Sequence, residues 1–243
     1  HILLTVDVED WFQVENLRQA CPVSSWSSYE LRVEKNTHRI LDLLEEASLK
    51  RSAFSGQLSA KELITDNALI TDHCEQRKLH VTFFVLGWIA ERLPNLVREI
   101  KARGHEIASH GYCHELCSQC SIGDLKEDLD KSKKLLEDII GERVYGYRAP
   151  SFSISDEILK VIEEAGYEYD SSFNSFAMHG RYGKLSFNVN GGDGIAYRIS
   201  DAFYELPISN LPFSSFSILG TLVHFRHFRH FLYASPHPPH RRR

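Results

Sequence analysis

Two histidines four residues apart, His110 and His114, lie in the segment "SHGYCH". Imidazoles at this spacing can share a cation, either on one helix face or on a loop that follows a strand. The segment "DVED" near the start adds the acids Asp7, Glu9 and Asp10. Two neutral imidazoles and one carboxylate form a three-ligand set for a divalent ion, with positions left for water and substrate. We therefore predict a catalytic metal site, against the alternative of a solvated strand end whose acids cap helices.

An arginine belongs to the same group of candidates. Arg148 lies in "GYRAPSF", after a predicted strand and before a turn that Pro150 stiffens. A guanidinium in that position can orient a carboxylate through a bidentate contact. The alternative is a surface arginine, which the strand before it and the proline after it disfavour.

The elements that carry these residues alternate between strand and helix. The segments "ILLTV", "HVTFFVLG", "HEIASHG", "VYGYRAP" and "YEYDSS" predict five strands, whereas residues 33–47, 95–104, 121–141 and 155–166 predict helices. This alternation is typical of a parallel α/β fold, in which functional groups gather at the carboxyl ends of the strands. The acids, the histidines and Arg148 all fall at or just after such ends, as does Asp170.

The helices show apolar residues at helical spacing. The predicted inner face of the first helix consists of Ile40, Leu43, Leu44 and Ala47. The predicted inner face of the third consists of Leu125, Leu129, Leu136 and Ile140. Ser155 is expected to cap the start of the fourth helix and Gly166 its end.

Two stretches interrupt this rhythm. Residues 48–79 lengthen the first crossover, so we predict a surface insertion there, partly helical around "AKELI". From residue 217 onward the chain is rich in His, Arg and Pro without a strand or helix period, which predicts a disordered or frame-shifted tail over 217–243. The principal domain is accordingly predicted to span residues 1–216.

Composition excludes some classes of protein. The net charge of −5 provides no overall basic field, so we expect no nucleic-acid partner. No apolar run approaches the roughly 20 residues of a membrane span. The opening "HILLTVDVEDW" lacks the basic start and long apolar stretch of a signal peptide, which favours a cytoplasmic over a periplasmic location and leaves the compartment undetermined.

The segments "TVDVEDW", "TFFVLGW", "GHEIASHGYCH", "GYRAPSFSI" and "YEYDSS" together resemble the polysaccharide deacetylase family, also called the NodB homology domain or carbohydrate esterase family four. The likeness runs from residue 2 to about 212 apart from the insertion, and is greatest to the bacterial branch associated with exosortase-linked exopolysaccharide clusters. It implies a distorted (β/α) barrel of about seven strands and metal-dependent removal of N-acetyl groups from amino sugars. The metal expected is zinc, with cobalt or nickel as alternatives.

The resemblance also implies roles for individual residues. Asp7 matches the general base, Arg148 the arginine that steadies it, and His110 and His114 the metal histidines. The metal carboxylate is Glu9 or Asp10, with Glu9 slightly favoured. The substrate-binding residues expected at the same strand ends are Trp11, Pro150, Phe152 and Asp170.

The chain departs from the family's pattern near its end. A late Leu-His pair normally supplies the general acid, and the only nearby candidate is His224 in "LVH". The predicted function is hydrolysis of N-acetyl groups on an amino-sugar polymer. Two alternatives stay open: hydrolysis of a small amide or cyclic imide on the same fold, and a non-catalytic carbohydrate-binding protein.

Overall fold

The computed structural model describes residues 3–62, 78–174, 185, 196–208, 211–213, 216–218 and 222–223. In these ranges the strands are β1 (Leu3–Val8), β2 (Val81–Val85), β3 (Glu106–Ser109), β4 (Gly146–Tyr147), β5 (Tyr169–Asp170), β6 (Tyr197–Arg198), β7 (Tyr204–Glu205), β8 (Leu211–Phe213), β9 (Phe216–Ile218) and β10 (Leu222–Val223). The α-helices are α1 (Val33–Glu62), α2 (Gly87–Arg92), α3 (Pro94–Ala102), α4 (Ile122–Ile140) and α5 (Asp156–Glu164).

One curled sheet organises the molecule. Its strand order is β10-β1-β2-β3-β4-β5-β7-β6, and β1 to β5 together with β7 run parallel. The short edge strands β10 and β6 are antiparallel to their neighbours. The predicted α/β architecture with a distorted barrel is confirmed as a half-barrel, with eight strands in the described residues against the expected seven or so.

The core lies between the sheet and its helices. Every residue of β2 is buried, as expected for an apolar, β-branched strand that has neighbours on both edges. In α4, Leu125, Leu129 and Leu136 are buried, which confirms the predicted face except for the partly buried Ile140. The repeated strand–helix crossovers place the carboxyl ends of the parallel strands at one edge of the sheet.

The first helix differs from its prediction. Its buried stripe contains Val33, Thr37, Leu41 and Leu44, whereas Leu43 is 63% exposed. The prediction of Leu43 and Ala47 as inward residues was therefore wrong. The backbone N–H groups of Arg32 and Val33 are bound to Asp10, just after β1, and this contact sets which side of α1 faces the core. The sequence did not indicate α2, a six-residue helix directly after β2.

The two irregular stretches are described only in part. Helix α1 continues to Glu62 and so includes the first half of the predicted insertion, while residues 63–77 lie outside the described residues. In the predicted tail, β10 pairs with the start of β1, Leu222 opposite Leu4, and residues 224–243 lie outside the described residues. The division at residues 216 and 217 stays a prediction.

Candidate functional site

The loop that follows β3, residues 110–114, carries both predicted metal histidines and is called here the histidine loop. His110 and His114 are both buried, and their ring centroids lie 5.4 Å apart. Gly111 has φ +73° and His114 has φ +54°, so the chain turns back on itself through two left-handed residues. This turn brings the second imidazole to the same edge of the sheet as the first.

His110 is oriented by a hydrogen bond to the backbone. Its Nδ1 lies 2.8 Å from the Arg148 carbonyl oxygen, which can only accept, so Nδ1 carries the proton and Nε2 has a free lone pair. Burial lowers the pKa of His110, although the nearby Asp7 and Glu9 carboxylates oppose this. A neutral imidazole with a free Nε2 is the form that binds a metal ion.

Glu9 completes the group. Its Oε2 lies 3.0 Å from His114 Nε2, and ligand atoms of Glu9, His110 and His114 all lie within 4.8 Å of one another. In the described part of the chain, Glu9 Oε2 and His114 Nδ1 are buried without a hydrogen-bond partner. A buried polar atom without a partner costs about 1–3 kcal/mol, so a carboxylate lone pair left in this way fits a cation between the three side chains. The residues present therefore fit a divalent metal ion.

Asp7 and Arg148 form a pair next to this group. Arg148 is fully buried, and its Nη1 donates to Asp7 Oδ1 at 2.7 Å and to Thr5 Oγ1 at 3.1 Å. Its Nε and Nη2 donate to the carbonyl and hydroxyl oxygens of Ser171 at 2.9 and 3.0 Å. Burial favours a higher pKa for Asp7, but the Arg148 guanidinium and His110 outweigh it and lower the pKa. Asp7 is therefore a carboxylate at neutral pH, held in one orientation.

Asp10 lies apart from the histidines. Its Oδ2 accepts from the backbone N–H groups of Arg32 and Val33 at 2.7 and 2.9 Å, and its Oδ1 accepts from Trp11 N–H at 2.8 Å. These bonds anchor the start of α1. The structure thus brings Glu9, and not Asp10, close to the imidazoles. Both carboxylate oxygens of Asp10 instead accept hydrogen bonds from the backbone N–H groups of Trp11, Arg32 and Val33.

Of the predicted substrate residues, Trp11 is the most accessible. Its side chain is 40% exposed and borders a cleft of about 280 Å³ that is also lined by Asp7, Glu9, Arg32 and Asn36. The indole ring makes edge-on contacts with the rings of Phe12 and Tyr29, and these contacts fix its orientation beside the cleft.

Pro150 and Phe152 form the turn after Arg148. Pro150 is buried against the histidine loop: a side chain at Gly111 would reach within 3.7 Å of its Cγ. Phe152 is half-buried, has φ +57°, and places its ring 5.9 Å from the Arg148 guanidinium. The geometry therefore gives Pro150 a packing role and leaves only part of Phe152 accessible.

Asp170 is fully buried and offers no surface to a substrate. It accepts hydrogen bonds from the N–H and hydroxyl of Ser172, both at 2.9 Å, and it lies opposite Glu205 in the pairing of β5 with β7. Glu205 is also fully buried and accepts from Phe173 N–H at 2.8 Å. The structure therefore places Asp170 in a buried carboxyl pair within the sheet, and a substrate contact by Asp170 stays a prediction.

Burial raises the pKa of both carboxyls of this pair, and the Asp170 charge raises that of Glu205 further. The pair therefore holds a shared proton to a higher pH than an ordinary carboxyl does. Sequence reasoning missed Glu205, although a glutamate between apolar residues in "YELP" was a signal for a buried acid. His224, the predicted general acid, lies outside the described residues.

Comparisons with known proteins find similar sequences for part of the chain. The sequence model of the family described as "Polysaccharide deacetylase" matches residues 65–169. A peptidoglycan deacetylase-like protein of Gibberella zeae is 38% identical over 94 residues, which is 39% of this chain and 28% of that protein. A peptidoglycan-N-acetylglucosamine deacetylase of Bacillus cereus is 34% identical over 99 residues, covering 41% of this chain and 46% of that protein. The chain thus spans less than half of the length of these two relatives.

One solved structure shows the fold over most of the chain. It is assigned as a polysaccharide deacetylase of Mycobacterium smegmatis, has 24% identity and a TM-score of 0.50, and covers 85% of this chain and 58% of its own. In the described residues, no helix is long and apolar enough to cross a bilayer. In sequence over residues 65–169 and in its half-barrel fold, the chain is thus similar to the polysaccharide deacetylases, the NodB or carbohydrate esterase family four proteins.

Proposed function

We propose that this chain is a metal-dependent hydrolase that removes acetyl groups from the nitrogen of amino sugars in a polymer. The observation that carries the proposal is the approach of Glu9, His110 and His114 beside a carboxylate, Asp7, that an arginine holds. Relatives named as peptidoglycan-N-acetylglucosamine deacetylase and chitooligosaccharide deacetylase support an N-acetylated sugar polymer as the substrate. Because these relatives match through only part of their length, the activity of the whole protein belongs to the proposal.

Glu9, His110 and His114 would hold the ion, since one carboxylate and two imidazoles suit zinc, with cobalt and nickel as alternatives. A divalent ion bound there supplies Lewis acidity for the acetyl carbonyl and lowers the pKa of a water molecule. The ligand set uses three positions and so leaves others for water and substrate.

Asp7 is the proposed general base. It is ionised at neutral pH and lies beside the metal-binding group, so it can take a proton from the water that attacks the acetyl carbon. Arg148 uses three nitrogens on Asp7, Thr5 and Ser171, which fixes the direction of the carboxylate. The carbon–nitrogen bond then breaks, acetate leaves, and the sugar nitrogen gains a proton to become an amine. His224 is proposed as the donor of that proton.

We place Trp11 as the residue against which a sugar ring packs, since its half-exposed indole borders the same cleft as Asp7 and Glu9. The resemblance to the branch associated with exopolysaccharide clusters supports an exopolysaccharide as the polymer. A second candidate, a non-catalytic carbohydrate-binding protein, is favoured by one observation: the chain after residue 217 departs from the family's pattern.

The test is acetate release by purified protein that has been stripped with a chelator and reloaded with Zn²⁺, Co²⁺ or Ni²⁺. We expect release from N-acetylglucosamine oligomers, none from hydantoin, and none from the stripped protein. Asp130→Asn, an exposed change on α4, is the matched control for Asp7→Asn. Hydantoin hydrolysis would replace the proposed substrate class, and oligosaccharide binding without acetate release by the loaded protein would establish the non-catalytic alternative.

A further inference from the structure

The histidine loop is held by charged side chains that belong to other parts of the chain. The loop has two left-handed residues, Gly111 and His114, and a non-glycine residue in that region costs about 1–3 kcal/mol. Such a conformation persists only when neighbouring groups specify it. Three sets of contacts do so here.

The first contact comes from α4. The carboxylate of Asp128 accepts from Tyr112 N–H, with both Oδ1 and Oδ2 at 3.1 Å from the nitrogen. Asp128 also fills the space beneath the loop, since a side chain at Gly111 would come within 3.0 Å of its Oδ2. An acid inside this turn therefore satisfies a backbone donor at the midpoint between the two histidines and requires a glycine at 111.

The second contact comes from the segment after β1. Arg18 Nη1 donates to the carbonyl oxygens of His114 and Cys113 at 3.2 and 3.4 Å, and its Nη2 pairs with the Glu115 carboxylate. This single guanidinium therefore holds the carbonyl side of the loop at its far end. Arg18 is nine residues from Glu9, so it also joins the segments that carry the carboxylate and the second imidazole.

The third contact comes from the start of α2. The N–H groups of Gly87 and Trp88 donate to the carbonyl oxygens of Gly111 and Tyr112 at 2.8 and 3.0 Å. Together, α2, Asp128 and Arg18 hold four of the loop's carbonyls and one of its amides. The loop is consequently bound on both its donor and its acceptor sides.

We propose that Asp128 and Arg18 are positioning residues for the metal site, and that they set metal affinity by fixing where His114 stands relative to His110 and Glu9. The inference rests on the proposed function only in taking these three residues as metal ligands. Neither charged residue touches the imidazole nitrogens in the described contacts; each acts through the backbone of the loop. Supporting contacts of this kind are worth about 10- to 100-fold in metal affinity.

The experiment compares Asp128→Ala with Asp130→Ala, an exposed aspartate two residues away on the same helix that loses the same charge. Zinc affinity is measured by competition with a chromophoric chelator, and the ligand geometry by the visible spectrum of the Co²⁺-loaded protein. We expect Asp128→Ala to weaken zinc binding about 10- to 100-fold and to alter the Co²⁺ spectrum. Asp130→Ala should leave both unchanged.

Arg18→Met provides the second variant, since it keeps the aliphatic stem and removes the donors, with Arg39→Met on the exposed face of α1 as its control. If Asp128→Ala does not fold, Asp128→Asn retains the shape and one acceptor and should weaken zinc binding by a smaller factor. Folded Asp128 and Arg18 variants with wild-type affinity and spectrum would overturn the inference. A wild-type protein that binds no metal would instead overturn the proposed metal site, so the two failures are distinguishable.

Discussion

Two groups of acids lie at the same edge of the sheet and differ in which side chains surround them. At β1 and β3, Glu9 Oε2 lies 3.0 Å from His114 Nε2, and a ligand atom of His110 is within 4.8 Å of both residues' ligand atoms. At β5 and β7, Asp170 and Glu205 are fully buried, and backbone N–H groups donate to both of them. Asp7 and Glu9 border a cleft, whereas Asp170 and Glu205 are enclosed by the sheet.

Both groups lie at the carboxyl ends of strands, but this position alone does not determine the function of a polar side chain. Asp170 was expected to meet substrate because of its position after a strand, yet its oxygens are occupied by Ser172. Glu9 instead has Oε2 3.0 Å from His114 Nε2, where a cation could be shared with the two imidazoles. The neighbours of a buried acid, two imidazoles for Glu9 and a second carboxyl for Glu205, therefore distinguish a ligand site from a structural pair.

The largest expected effect is the loss of metal from the first group. His110→Ala and His114→Ala each remove one of three ligands, so zinc affinity should fall by more than the roughly 100-fold that a supporting contact is worth, and turnover should cease. Elemental analysis of the purified variants measures bound zinc, with His38→Ala, a half-buried histidine on α1, as the control. Full zinc content in the double alanine variant would contradict the ligand assignment.

The second prediction separates chemistry from metal binding within that group. Asp7→Asn keeps the shape and removes the base, so acetate release should fall about 10²- to 10⁴-fold while bound zinc stays at the wild-type level. Acetate release and zinc content are measured on the same preparation. If Asp7→Asn alone releases the zinc, then Asp7 is a ligand and the division of roles between Asp7 and Glu9 is wrong.

The third prediction contrasts two neighbouring acids. Glu9→Ala should weaken zinc binding strongly and leave the fold stable. Asp10→Ala should keep zinc but lower the free energy of unfolding by about 2 kcal/mol, because the N–H groups at the start of α1 lose their acceptor. Zinc titration and urea unfolding of the pair check this, and the reverse outcome would transfer the ligand role to Asp10.

The smallest effect concerns the enclosed pair. The raised pKa of Glu205 means that the folded protein binds a proton which the unfolded chain releases once the pH exceeds about 4.3. The free energy of unfolding of the wild type should therefore fall as the pH rises from there towards the folded-state pKa, by at most about 1.4 kcal/mol per pH unit. Glu205→Gln stays neutral and should reduce this slope, leaving the part due to Asp170, whose pKa is also raised.

Urea unfolding of the wild type and Glu205→Gln between pH 5 and pH 8 measures the difference in slope. Glu157→Gln, an exposed glutamate at the start of α5, is the control and should retain the wild-type slope. An unchanged slope in Glu205→Gln would show that the pair holds no shared proton. The two groups of acids would then not differ in protonation.

Local sequence determined the elements and the edge at which the site forms. Ser155 caps α5 as expected, accepting from Ile158 N–H at 3.2 Å, and Gly166 follows the helix with φ +77°. The five predicted strands occur in the predicted order, because apolar β-branched runs and their polar ends are readable from neighbouring residues. The family resemblance added roles for the residues at the strand ends.

Only the tertiary structure decided among equivalent residues. Glu9 and Asp10 are adjacent acids in one motif, and the choice between them depends on α1, whose first N–H groups lie 22 and 23 residues away from Asp10 and take its oxygens. The contacts of Glu205, Asp128 and Arg18 could not be predicted from local sequence either, since their partners lie 16 or more residues away. Periodicity reports which face a residue occupies on its own element, whereas the hydrogen bonds that leave one carboxylate free and occupy another form only when distant segments pack together.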